Sequence, residues 1–311
     1  MKLQSWKKPA KIVFGVLVLL WLFSSGKLDL GLLLTAPSTS GHLCGLILLL
    51  IMLLLQVYRW QLLLESQRIH LGFLTACRLT WVSQFITVFT PGVVGGEIVR
   101  GYQLTRNISE RKAGGASTVI IDRVLGLYAQ VVFGLISFLS LLVTEQHLPA
   151  PVLQMGWVLM AVLGAIHALP LLRYNGIKRL CRFFFKEKTF AVFEDVWLHY
   201  HRNPAILAKG IALSFGAALF SLSAFTLAAR LFVPGLNWNI VFMVAPLVFI
   251  VVTLPLSPGG IGVGEASAAV LFTAFGIEAG ATIMMLYRLW LLLLKLPGGF
   301  MLIADLQNNK V

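Results

Sequence analysis

Two short segments of this chain place Pro, Gly and a carboxylate between long apolar runs. One reads TPGVVGGE, Thr90 to Glu97; the other reads SPGGIGVGE, Ser257 to Glu265. Each is followed by an arginine inside an apolar stretch, Arg123 in STVIIDRVLGL and Arg288 in IMMLYRLWLLL. Arg123 follows Pro91 by 32 residues, and Arg288 follows Pro258 by 30. The order Pro, Gly, Glu, Arg therefore occurs twice. Asp122 has no counterpart, because Tyr287 stands at its place.

These residue types suit anion chemistry. Arginine is an always-charged planar fork that matches carboxylate or phosphate. Inside a hydrocarbon layer a central Arg or Asp costs about 2.5–3.5 kcal/mol on the insertion scale, so it is normally paired, cavity-facing or functional. Two readings follow. Arg123 and Arg288 can pair with Glu or Asp and lock each Pro-Gly segment to its next helix. They can also hold a lipid phosphate, with Glu and Asp tuning or releasing it. Both hold if phosphate and carboxylate compete for the arginine. A half-helix starting after Gly96 or Gly260 would add unpaired N–H groups and a positive dipole end. Glu97 and Glu265, in the first turn of such half-helices, either cap them, meet a cationic headgroup or carry a proton. The small residues after Glu265, ASAAV, suit close helix packing.

Other chemistries find no support in the sequence. GxSxG, HExxH and Walker patterns are lacking, so neither a catalytic constellation nor ATP binding is expected, and no enzyme activity or cofactor. Cys44, Cys77 and Cys181 lack metal-ligand spacing, and His199 with His201 forms a lone HxH, so no metal site is expected.

The elements that must position these residues are membrane helices. The chain is 58% hydrophobic and 12% charged, a balance that excludes a soluble domain. A net charge of +13 then reads as basic cytoplasmic loops beside anionic headgroups rather than as a nucleic-acid surface. Full spans of about 20 apolar residues are expected near 10–25, 43–60, 114–143, 152–173, 205–232 and 280–303. The segments 72–100 and 238–276 contain the motifs and read as half-helix, break, half-helix. Lys2, Lys7, Lys8 and Lys11 put the N-terminus in the cytoplasm, and Arg59, Arg68 and Arg78 return the chain there. The basic segment 173–209 is also cytoplasmic, with 178–193 as an interfacial amphipathic helix. Most of Trp81, Trp157, Trp238 and Trp290 are expected to be interface anchors. The segment 238–276 either spans once or re-enters from outside. Re-entry makes the two motif hairpins mirror images, an arrangement suited to alternating access. The expected fold is thus an all-α polytopic membrane protein. It has about six full transmembrane helices plus two re-entrant broken-helix hairpins in an inverted repeat. One membrane domain covers 1–311, with repeat cores at 72–143 and 238–303.

The stretches PGVVGGEIVRGYQL, ASTVIIDRVLGL, LPLSPGGIGVGEASAAVLF and YRLW together resemble the lysylphosphatidylglycerol synthase transmembrane family, also called flippase-like domain proteins. The resemblance implies a polytopic bundle of the bacterial cytoplasmic (inner) membrane that moves lipids between leaflets. Its motif residues fall on Pro91, Gly92, Gly96, Glu97 and Arg100, then on Asp122 and Arg123. In the second half they fall on Pro258, Gly259, Gly260, Gly262, Gly264, Glu265 and Arg288. The best-known members flip aminoacylated phosphatidylglycerol made by a fused soluble synthase domain. This sequence ends at Val311, so aminoacyl transfer is not carried over, and the substrate class widens to anionic or polyprenyl-linked lipids. The expected partners are membrane lipids with phosphate headgroups, with a separate lipid-modifying enzyme as a further one, and no nucleic acid. Three rivals stand beside a translocase: a scaffold for a lipid-modifying enzyme, an integral-membrane transferase, and a small-solute transporter.

Overall fold

A computed structural model describes residues 39–90, 94–108, 112–144, 148–171 and 203–307, together with Leu20, Ser24 and Gly31. Several expectations lie outside the described residues: the span at 10–25, Pro91 and Gly92, the amphipathic segment 178–193, Cys181, and the His199–His201 pair. The described residues form helices and turns, with no strand among them. In chain order the helices are α1 (Thr39–Ser66), α2 (Phe73–Thr87), α3 (Val94–Asn107), α4 (Lys112–Thr144), α5 (Ala150–Leu171), α6 (Pro204–Phe232), α7 (Trp238–Thr253), α8 (Val263–Thr273) and α9 (Gly280–Gln307).

Four of them, α1, α4, α6 and α9, contain stretches long and apolar enough to cross a bilayer. Large apolar side chains face outward on the bundle, among them Leu74, Val143 and Phe300. In water that surface would be costly; against lipid it is the expected exterior. The protein is an all-α polytopic membrane protein.

The motif segments are interrupted as expected. The arms α2 and α3 are 15 and 14 residues long, and α7 and α8 are 16 and 11. At 1.5 Å per residue the longest arm reaches about 24 Å, short of a hydrocarbon core of about 30 Å. The half-helix of the first motif starts at Val94, so Gly96 lies within its first turn rather than ahead of it.

The helix contacts have a two-fold pattern. Exchange α1, α2, α3 and α4 with α6, α7, α8 and α9, and the packing partners among these helices are preserved. The pair α2–α9 maps onto α7–α4, α3–α4 onto α8–α9, and α1–α9 onto α6–α4. The helix pair α1–α6 maps onto itself. The arm α2 of one half thus packs on α9 of the other, and α7 packs on α4. The two halves interlock instead of standing side by side.

Close approach at glycine makes this interlocking possible. A Cβ at Gly298 of α9 would meet the Trp81 carbonyl of α2, and one at Gly299 would meet the Phe85 ring. Trp81 also donates its indole N–H to the Leu294 carbonyl at 3.0 Å. Trp290 is buried and donates to His42 Nδ1 at 3.2 Å, while a side chain at Gly45 would strike its ring. Trp81 and Trp290 are therefore packing residues, not interface anchors; Trp157 and Trp238 are exposed. The small residues after Glu265 pack as expected: Ala269 is buried with Ala281, and Ala268 lies under Gly280.

Gly298→Ala should push α9 off α2 and destabilise the protein by about 1–3 kcal/mol, the usual cost of overpacking. Gly101→Ala, which adds a methyl to open space within α3, should be neutral or slightly stabilising. Unfolding in detergent, followed by helical signal against temperature, separates the two. Equal midpoints for both variants would contradict the interlock.

Candidate functional site: a cationic cavity between two broken helices

The second break must satisfy backbone groups that leave the helix. Gly259, Gly260 and Gly262 adopt φ of +56°, +69° and +80°, a region open mainly to glycine. Their turn exposes carbonyls, which Arg288 collects. Its Nη1 donates to Gly259 O at 2.7 Å and its Nη2 to Gly260 O at 2.9 Å. Its Nε and Nη2 donate to the two carboxylate oxygens of Glu265. Glu265 in turn accepts from the Gly262 N–H at 2.8 Å and so caps α8. Carbonyls, N–H and both charges are matched within one unit. Glu265 is fully buried and the Arg288 side chain is 9% exposed. The helix N-terminus expected to receive an outside anion is filled by this protein's own carboxylate.

The first half repeats the pairing in a looser form. Glu97, in the first turn of α3, faces Arg123 of α4 with Nε to Oε1 at 3.4 Å. Here the side chains are 25% and 32% exposed. Gly95 and Gly96 let α3 cross α2 closely, since a Cβ would strike Thr90, Thr87 Oγ1 or the Ser83 carbonyl. The repeated order of Glu then Arg is thus a repeated ion pair joining each hairpin to its next helix, dry in one half and open in the other.

Asp122 has a separate task. It accepts from Arg59 Nε at 2.7 Å and from Arg100 Nη2 at 2.9 Å, and all three residues are buried. Arg59 also donates to Ser214 Oγ at 2.8 Å, and the Arg100 guanidinium lies 4.6 Å from the Trp60 ring centre. Arg59 was expected to be a loop charge that orients the chain; the structure instead buries it in α1 as the partner of Asp122. At the equivalent place in the other half, Tyr287 shares a hydrogen bond with Ser221, 2.9 Å apart. Ser214 and Ser221 lie on α6, two turns apart, so one helix serves Asp122's network and Tyr287.

The two breaks meet. Gly259 N–H donates to the Thr90 carbonyl at 2.9 Å, joining the loop of the second hairpin to the end of the first. Beside this junction lies a cavity of about 220 Å³. Arg59, Arg100, Arg123, Arg288 and Lys295 line it, against the carboxylates Glu97 and Asp122. Gln56, Gln84 and Gln130 add neutral polar groups, and Met52, Leu127, Phe249 and Leu291 contribute to an apolar wall. The cavity is both cationic and greasy. Of the expected site residues it gathers Glu97, Arg100, Asp122, Arg123, Gly259 and Arg288. Gly96 packs on the lining residues Ser83 and Thr87, and Gly260, Gly262, Gly264 and Glu265 surround Arg288 from behind, whereas Pro258 is not among the lining residues. Arg59 and Lys295 are cavity residues that the motifs did not single out. Among the described residues no cluster of three His, Cys, Asp or Glu could hold a metal.

Broken helices that meet beside a charged cavity within an apolar bundle define a polytopic membrane protein with an internal polar site. The family described as the lysylphosphatidylglycerol synthase TM region matches residues 10–298, and this chain belongs to it. A UPF0104 membrane protein of Pyrococcus horikoshii is 25% identical over 305 residues, covering 88% of each chain. No solved structure matches.

The two ion pairs should differ sharply in energetic weight. Arg288→Ala leaves Glu265 charged and dry, a change that typically costs about 3–5 kcal/mol. Arg123→Ala removes a part-exposed pair and should cost about 1 kcal/mol or less. Titration of the detergent-solubilised protein with denaturant gives both values. Equal losses would contradict the division into a sealed and an open pair.

Proposed function

We propose that this protein moves an anionic, phosphate-bearing lipid between the leaflets of a bacterial cytoplasmic membrane, and that it does so as a translocase rather than an enzyme. Aminoacylated and polyprenyl-linked lipids, which carry a phosphate but differ in net charge, are the alternative cargo. The observation that carries this reading is the cavity beside the meeting point of the two breaks. Its cationic side chains suit a phosphate, and its apolar wall suits the first methylenes of an acyl or prenyl chain.

Chain parity supports an alternating mechanism. The arms of each hairpin are too short to span alone, so each hairpin returns to the side it entered. With α5 taken as the full span expected at 152–173, the described residues between the start of α1 and the start of α6 cross three times, through α1, α4 and α5. An odd count sets the two halves antiparallel. Their hairpins enter from opposite faces and touch through Gly259 and Thr90, so that rocking one half against the other exposes the cavity to each side in turn. With the basic N-terminal segment in the cytoplasm, the first hairpin enters from inside and the second from outside.

Reconstituted vesicles test the reading. A fluorescent phosphatidylglycerol in the inner leaflet should become accessible to an external quencher when the wild-type protein is present. Gly259→Val places a side chain in a left-handed turn against the Val88 backbone. It should slow exposure by about tenfold or more, equivalent to roughly 1.4 kcal/mol on the barrier. Wild-type vesicles that expose no more lipid than protein-free ones, with anionic, aminoacylated and polyprenyl-phosphate probes alike, would sink the proposal and favour a scaffold.

A further inference from the structure

Five cations line the cavity, but the protein has already committed three of them. Arg288 spends its donors on Glu265, Gly259 and Gly260. Arg59 is held by Asp122 and Ser214. Arg100 is tied to Asp122 through Nη2 and lies over Trp60, and although its buried Nε has no hydrogen-bond partner, its charge is neutralised by Asp122. Among the described residues Arg123 is within ion-pair distance of Glu97 alone, at 3.4 Å. Lys295 has no carboxylate within ion-pair distance among the described residues. It stands two turns beyond Arg288 on α9 and lines the same cavity. Arg288 and Arg123 line that cavity too, so its neighbours there include two like charges.

An ammonium set among like charges inside an apolar bundle is costly unless an anion joins it. Lysines at helix ends often escape by stretching toward the interface. Lys295 instead lines the cavity, and twelve residues of α9 follow it before that helix is no longer described.

We propose that Arg123 and Lys295 together form the phosphate subsite of the cavity, and that Glu97 is the internal carboxylate which the incoming phosphate displaces from Arg123. The inference rests on the translocase reading and narrows it: the headgroup is net negative, and its phosphate is read by the two uncommitted cations rather than by Arg288. The arginine supplies a fork and the lysine a mobile point charge. A zwitterionic headgroup is disfavoured, because its own cation would sit in a positive field. Loading also breaks the tie between α3 and α4 while Arg288 keeps the second break closed. The first hairpin is therefore the half whose hold depends on ligand.

Equilibrium binding to the purified full-length protein in detergent tests this. The probes are dioctanoyl phosphatidylglycerol, dioctanoyl phosphatidylcholine and inorganic phosphate. The anionic lipid should bind at least about tenfold more tightly than the other two, since phosphatidylcholine carries a cation and free phosphate lacks the chains. Lys295→Met and Arg123→Gln should each weaken it by about tenfold, or 1.4 kcal/mol. Glu97→Gln should tighten it several-fold, a gain that a misfolded variant cannot produce. Wild-type affinity in Lys295→Met, or weaker binding in Glu97→Gln, would overturn the subsite. Inorganic phosphate binding as tightly as the lipid, with the same response to the three variants, would keep the two-cation subsite and assign it to a water-soluble phosphate. If this binding pattern holds in a protein that moves no lipid, the translocase reading fails and the subsite stands. If lipid moves but Lys295→Met binds and transports as wild type does, the subsite fails and the translocase reading stands.

Discussion

A backbone that leaves the helix inside hydrocarbon must find its hydrogen bonds within the protein, and the rest of this structure depends on how that demand is met. The second break meets it with one arginine. Arg288 takes two carbonyls and both oxygens of Glu265, and Glu265 takes an N–H. Each of these groups has its partner within the break, so the loop can sit at depth as a rigid part. Rigidity there lets Gly259 reach across to Thr90 and fixes how the two hairpins abut.

The halves share a plan but differ in burial, and that asymmetry defines the site. A fully dry Glu265–Arg288 pair is architectural. The part-exposed Glu97–Arg123 pair has room for exchange. Asp122 holds Arg59 and Arg100 so that these charges brace the cavity wall. Tyr287 at the matching position makes a neutral hydrogen bond to Ser221. Replacing Asp by Tyr keeps a polar link to α6 while removing one carboxylate from the second half. The cavity is left with more positive than negative charge.

Much of this was legible in the sequence because Pro, Gly and charge are conspicuous against apolar residues. The breaks, the helices around them and the order of Glu then Arg could be read directly, since each violates a plain hydrophobic run. The pairing of Asp122 could not. Arg59 sits near the end of such a run, where an arginine normally marks a loop, and only the packing of α1 on α4 and α6 reveals its burial. Lys295 was hidden for the same reason, in LLLLKLPGG near the end of the last span. The burial of Trp290 was not legible because sequence cannot tell a tryptophan at a membrane surface from one inserted over Gly45. The reciprocal contacts of α1 and α6 were also invisible, as neither helix carries a motif. Their kinship lies in packing alone.

On the proposed function, the space beside the two abutting breaks receives a lipid phosphate while the second break stays sealed. An experimental structure of the protein in nanodiscs rich in phosphatidylglycerol tests this most directly. Headgroup density is expected in the cavity, with phosphate oxygens within hydrogen-bond distance of Arg123 and Lys295, and Arg288 still bound to Gly259, Gly260 and Glu265. A cavity closed by side chains with lipid only on the outer surface, or a phosphate that has drawn Arg288 away from Glu265, would contradict it.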